Sequence, residues 1–163
     1  MRHILSVLVE NHPGVLRKVA GLFSRRGYNI DSLVVSETEN EKISRMTIAV
    51  HDDEEILEQV IKQLGKLVDV IKIEDVTNKP SVSKQLLIIK VKANWKTRID
   101  IITLMDVFRA RIAHIGKESL IIEATGEQSK IDAIIETLKP FGILELAKTG
   151  TVAMLREEEE GLY

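Results

Sequence analysis

Glu10-Asn11-His12-Pro13-Gly14 is the stretch of this chain whose residue types and spacing most readily act on a ligand. Apolar alternation ends at Val9 and a helical pattern starts at Val15, so the five residues lie at the mouth of a helix. A polar cap followed by Pro is normal at a strand-to-helix turn, and a plain connector accounts for the local pattern by itself. Two features add a function. Gly14 strips side-chain bulk from the first turn, so a ligand can reach the N–H groups that a helix start leaves without partners. Such a helix start binds a carboxylate without any cationic side chain. Asn11 offers a donor and an acceptor, which suits a zwitterion carrying a carboxylate and an ammonium. Val15, Leu16, Ile30, Leu33 and Val35 are available to line an apolar pocket beside it.

Other candidates for chemistry reduce to structure. His3, His12, His51 and His114 lie apart, without the i, i+4 spacing of a metal pair, and read as strand-end and loop histidines. Asp52-Asp53-Glu54-Glu55 precedes an amphipathic run, where acids cap a helix and complement its dipole. The absence of Cys excludes disulfides, thiolate metal sites and a Cys nucleophile. No nucleophile elbow, Walker A loop or dinucleotide fingerprint is present, so neither a catalytic residue nor a metal site is expected. A net charge of −2 argues against a general affinity for nucleic acid or anionic membrane.

These residues need elements to hold them. Apolar residues make up 44% of the 163 and aromatics 4%, so the core is built from Ile, Leu and Val. His3 to Val9 reads as a strand and the apolar positions from Val15 to Phe23 as a helix face, with Gly27 as its stop. Tyr28–Thr38 and Lys42–His51 read as a hairpin, the run after Asp52 as a helix, and Val68–Val76 as a strand. The pattern then restarts: strand Lys84–Lys92, helix Thr97–Arg111, strands Ile112–Ile115 and Leu120–Thr125, helix Gln128–Leu138 and a last strand Ile143–Leu155. The expectation is an α/β (α+β) protein of two tandem ferredoxin-like βαββαβ domains, 1–76 and 84–155, with a linker at 77–83 and an acidic, disordered tail at 156–163. Strands such as Gln85–Lys92 and Ser119–Thr125 are apolar on both faces, which calls for association to cover a sheet. The first apolar run is too short for a signal segment and no run reaches membrane-spanning length, so a soluble, cytoplasmic chain is expected. RNA-recognition domains share this element order, but they stack bases on strand aromatics, and His3–Val9 and Ser44–His51 contain none.

The residues from Ile4 to Leu33, ILSVLVENHPGVLRKVAGLFSRRGYNIDSL, together with SRMTIAV and EQVIKQLGKLVDVIKI, resemble the ACT domain of the small, regulatory subunits of acetolactate synthase (acetohydroxyacid synthase). The resemblance is close over residues 1–76; the second half matches that family's C-terminal domain in length and order. It implies a chain without an active site. Its partner would be a large catalytic subunit that carries thiamine diphosphate, FAD and magnesium, none of them held here. That partner would be activated by this chain and made sensitive to feedback inhibition by a branched-chain amino acid, usually valine, in the biosynthesis of valine, leucine and isoleucine. The resemblance also implies a homodimer formed through ACT domains, with effectors at the interface. Asn11, Gly14, Val15 and Leu16 would form the effector loop, and Asn29 and Ile30 would come from the partner chain. Alternative readings are an ACT sensor for another amino-acid enzyme and a nucleic-acid-binding ferredoxin-like module.

Overall fold

A computed structural model describes residues 1–157 of the chain. Contacts divide it into two units, Met1–Val82 with the residues from Gly150 onward, and Ser83–Thr149.

The first unit contains β1 (Arg2–Glu10), α1 (Val15–Arg25), β2 (Ser32–Glu37), β3 (Ile43–His51), α2 (Glu54–Leu64) and β4 (Val70–Asp75). Its sheet is antiparallel in the order β2-β3-β1-β4. Alternation along β1 puts Leu5, Val7 and Val9 in the core with Met46, Ile48 and Val50 of β3. Onto that face α1 packs Val15, Val19, Leu22 and Phe23, and α2 packs Leu57, Val60 and Leu64. Burying each such side chain contributes roughly 1.5–3 kcal/mol, which fixes the register and hence the place where β1 ends.

α1 ends as its sequence predicts. Gly27, at φ +69, donates its N–H to the Ser24 carbonyl, and Tyr28 N–H donates to the Phe23 carbonyl, the paired bonds of a Schellman stop. β2 then begins at Ser32 rather than at Tyr28, after Asp31 N–H has donated to the Ala49 carbonyl of β3 at 2.9 Å. Asp53 takes the N-cap position of α2, but its side chain makes no cap hydrogen bond. The acids there complement the dipole, and Asp52 contributes only its carbonyl, 3.1 Å from His3 Nε2.

The second unit repeats the order with most of β5 (Ser81–Lys92), α3 (Arg98–Val107), β6 (Arg111–Ile115), β7 (Ser119–Gly126), α4 (Gln128–Leu138), a 3-10 turn at Lys139–Phe141 and β8 (Ile143–Lys148). Its sheet order is β6-β7-β5-β8, and β9 (Val152–Leu155) also pairs with β5. Three elements differ from the sequence expectation. α3 stops at Val107, four residues short of Arg111. Arg109 occupies the left-handed region at φ 56, and Ala110 N–H donates back to the Met105 carbonyl at 2.9 Å, a Schellman stop made without glycine. β5 starts at Ser81, inside the stretch expected to be a linker. The single strand expected over Ile143–Leu155 is broken at 149–151 into β8 and β9.

From Gly150 the chain lies with the first unit. A Cβ on Gly150 would come 2.9 Å from Val34 Cγ2, and Arg2 donates to Thr151 Oγ1 at 3.0 Å. On the β-sheet face away from α1 and α2, Ser6, Thr47 and Ala49 are buried. Association was expected to cover such a face; in this unit the chain's own returning segment does part of it. In the second unit Leu86 and Ile88 remain exposed on the face opposite the core residues Leu87 and Ile89. The tail expected at 156–163 falls, from Glu158 on, outside the described residues.

Candidate functional site

β1 delivers Glu10 to the end of its ladder, opposite Ile43, and the loop that follows is tied to its neighbours on both sides. Asn11 N–H donates to the Lys42 carbonyl at 2.8 Å, and the Asn11 side-chain amide donates to the Glu41 carbonyl at 2.8 Å. The donor half of Asn11 therefore holds the β2–β3 turn, and its side-chain oxygen is the part left to accept from a ligand. Gly14 is the N-cap of α1 at φ 91, ψ −12, and no side chain caps the helix. Lys18 N–H makes the first helical bond, to the Gly14 carbonyl at 3.1 Å. The N–H groups of Leu16 and Arg17 precede that bond and have no helical acceptor. Nothing lies within 4 Å of a Cβ built on Gly14, so the approach is open, and the positive φ independently favours glycine.

A cluster of charges braces the loop from the side. His12 Nε2 lies 2.7 Å from Asp69 Oδ1 and 3.3 Å from Glu10 Oε2, and Lys18 donates to Asp69 Oδ2 at 2.8 Å. Asp69 is buried, and its carbonyl accepts the Glu10 N–H at 2.9 Å. Lys18 first, and then His12, hold the Asp69 carboxyl below the ordinary carboxylate range. The Pro13 carbonyl beside Nδ1 leads, with the Asp69 carboxylate, in raising the His12 imidazole above its ordinary value. Among the described residues Glu10, His12 and Asp69 are the group whose ligand atoms gather as a cation site would, all within 4.8 Å. The 2.7 Å contact leaves no room for an ion between ring and carboxylate, and Lys18 already neutralises Asp69. This is the geometry of an ion-pair network, not of a metal centre.

The expected site residues fall into two groups. Asn11, Gly14 and Leu16 are exposed at the mouth of α1. Val15 is not available to line a pocket: its side chain is in the core, and its N–H donates to the His12 carbonyl at 3.5 Å. Asn29 is exposed and Ile30 packs partly against the core, both beyond the far end of α1. An eleven-residue helix is about 16 Å long, so one copy of the chain cannot bring Asn29 to Asn11. A hollow of about 590 Å³ does adjoin the loop, lined by Asn11, His12, Glu41 and Lys42 with Ile43 and Ile71. Leu16, Ile30, Leu33 and Val35 are absent from its lining. Asp69 and Lys18 escaped the sequence reading; the signal was a lone carboxylate inside the apolar run Leu67–Val70, which only burial turns into an anchor.

Residues 5–72 match the family described as AHAS small subunit-like ACT domain, and residues 84–157 match the small subunit of acetolactate synthase. The chain is 51% identical over 156 residues to a probable acetolactate synthase small subunit of Archaeoglobus fulgidus, covering 96% of this chain and 98% of that one. It is 51% identical over 154 residues to the acetolactate synthase small subunit of Mycobacterium leprae, covering 94% and 91%. Its fold superimposes on the crystal structure of the acetolactate synthase small subunit from Thermotoga maritima with a TM-score of 0.89 and 41% identity, covering 98% and 99%.

Proposed function

The chain belongs to the family of acetolactate synthase small subunits, and from that premise we propose that it senses a branched-chain amino acid at the mouth of α1 and passes the signal to the large catalytic subunit. The observation that carries this reading is the unplugged start of α1, where Gly14 leaves N–H groups open to a carboxylate and no side chain competes for them. The effector's ammonium meets the Asn11 side-chain oxygen, and its branched side chain needs an apolar wall. Leu16 supplies one side of that wall and Ile30 of a second copy another, with the polar Asn29 of that copy beside it.

β2 suits such a pairing. It is an edge strand, it starts at Ser32 two positions after Ile30, and Val35 is exposed on it. Two copies joined there would be related by a two-fold axis, giving two equivalent sites. In this reading the chain performs no turnover itself. The thiamine diphosphate, FAD and magnesium belong to its large partner, and the chain works in the cytoplasm. Among the described residues no helix is long and apolar enough to cross a membrane. The test is calorimetric titration of the chain with L-valine, L-leucine and L-isoleucine, alongside acetolactate formation by the large subunit with and without it. Binding of one of the three, activation by the chain and inhibition by the same amino acid are expected. Failure of all three amino acids to bind, or turnover of pyruvate by this chain alone, contradicts the proposal.

A further inference from the structure

Both ring nitrogens of His12 face only acceptors. Nδ1 lies 3.3 Å from the Pro13 carbonyl, while Nε2 faces Asp69 Oδ1 at 2.7 Å and Glu10 Oε2 at 3.3 Å. A neutral imidazole has one N–H, so in this arrangement it would turn a lone pair on an oxygen at one end or the other. The imidazolium, with two N–H groups, satisfies both. Asp69 cannot swing away to relieve the conflict, because it is buried, its other oxygen takes Lys18, and its carbonyl holds the Glu10 N–H.

We infer that His12 is a proton-operated latch on the effector loop: the imidazolium ties the loop to Asp69 and Glu10 and keeps the mouth of α1 in its receptive shape, and loss of the proton releases it. The inference rests on the effector reading and adds pH control to the same site. The charged groups at His12 are Glu10 on β1, Asp69 ahead of β4 and, through Asp69, Lys18 on α1; Glu41 and Lys42 line the same hollow, and Glu37 on β2 lies at the Asn11 amide. Two carboxylates, Glu10 and Asp69, meet one ammonium group, Lys18, so the imidazolium brings the contacting cluster to neutrality. Deprotonation leaves the cluster net negative beside the place where the effector's carboxylate must sit. The raised pKa of His12 agrees with this direction and sets the change above the ordinary value of 6.5. By linkage, an effector that binds the latched state better must in turn raise the affinity of His12 for its proton.

Two measurements on the full-length chain test this. The first needs no effector: NMR titration of the imidazole resonance that is missing from His12→Gln. The latch requires a midpoint above 6.5, amide shifts at Asn11 and Gly14 that follow the same titration, and a fall of the midpoint in Asp69→Asn. A midpoint at the ordinary value, or loop amides that ignore it, overturns the latch whatever the effector does. The second is calorimetry with L-valine at pH 6 and at pH 8.5. Weakening by at least about fivefold is expected in the parent, the low end of coupling between linked sites, and no change in His12→Gln. Binding of equal strength at both pH values in the parent, or an unchanged slope in His12→Gln, overturns the latch while leaving the effector site standing. Absence of valine binding at either pH removes the effector site and its control together.

Discussion

The turn from β1 to α1 and the turn from β5 to α3 occupy the same place in two units of the same topology, yet the first leads into its helix through a bare glycine and the second through a turn held by an asparagine side chain. At the first, Gly14 sits in the left-handed region and no side chain reaches the N–H groups of α1. At the second, Asn94 Oδ1 accepts from Lys96 N–H at 2.8 Å and Thr97 N–H at 3.0 Å, and the Thr97 hydroxyl turns to the same oxygen at 3.3 Å. Asn94 thus closes the turn that leads into α3, while Thr97, the N-cap residue itself, makes no side-chain cap hydrogen bond; a hollow of about 670 Å³ lies beside it, lined by Lys92, Asn94, Thr97 and Phe141 among others. The fold provides a helix dipole in both units. The two turns differ in the side chain that lies ahead of that dipole.

The largest expected effect comes from plugging the open mouth. Gly14→Glu places a carboxylate where the proposed site seats the effector's carboxylate and should abolish inhibition by valine. Because Gly14 has φ 91, any L side chain there also strains the backbone, by about 1–2 kcal/mol. Gly14→Ala carries the strain without the charge, so urea unfolding should show a similar loss of stability in both variants. Inhibition should vanish only with Glu. Gly14→Asn should be the mildest of the three in stability, since Asn tolerates the left-handed region.

Loosening the turn ahead of α3 is the converse test. Asn94→Ala removes the acceptor for two N–H groups of that turn and should destabilise the chain by about 0.5–1.5 kcal/mol, as loss of a hydrogen bond does, while inhibition by valine stays as in the parent. If inhibition followed Asn94 as closely as Gly14, the contrast between the two turns would not be the basis of sensing.

The smallest effect is the pH response of stability at the braced loop. The folded-state pKa of His12 is raised, so its contribution is complete below 6.5 and disappears as pH climbs through the raised value. Asp69 has a lowered pKa, so its contribution is complete above its ordinary 3.8 and is lost only as pH falls below that. Denaturation midpoints of parent and His12→Ala should therefore differ most between about pH 5 and 6.5 and converge in mild alkali. A gap that widened in alkali would reverse the sign of the account.

Much of this was legible in the residues themselves. Alternation located β1 and β3, the apolar stripe located α1, and Gly27 marked its end, because each signal is local and repeats. The helix mouth was legible for the same reason, with Asn11, Pro13 and Gly14 within four consecutive residues of the chain. What escaped depends on contacts across distance. Asp69 lies 57 positions from His12 and reads as one more surface charge until β4 comes alongside β1. The left-handed Arg109 ends α3 where composition alone continues the helix. The pairing that starts β5 at Ser81 involves a strand seventy residues later. Val15 looked like pocket lining because its position is right, and only packing shows its side chain facing inward.

The central claim is that the sensing site is assembled from two copies, Asn11 of one and Asn29 of the other. Its most direct test is calorimetry with L-valine on mixed dimers of Asn11→Ala and Asn29→Ala chains. Each variant alone should bind no valine. In the mixed dimer one interface carries both substitutions and the other carries neither, so binding at parental affinity with one valine per dimer is predicted. A mixed dimer as inert as its parents, or single variants that bind valine like the unmodified chain, would contradict a site shared between copies.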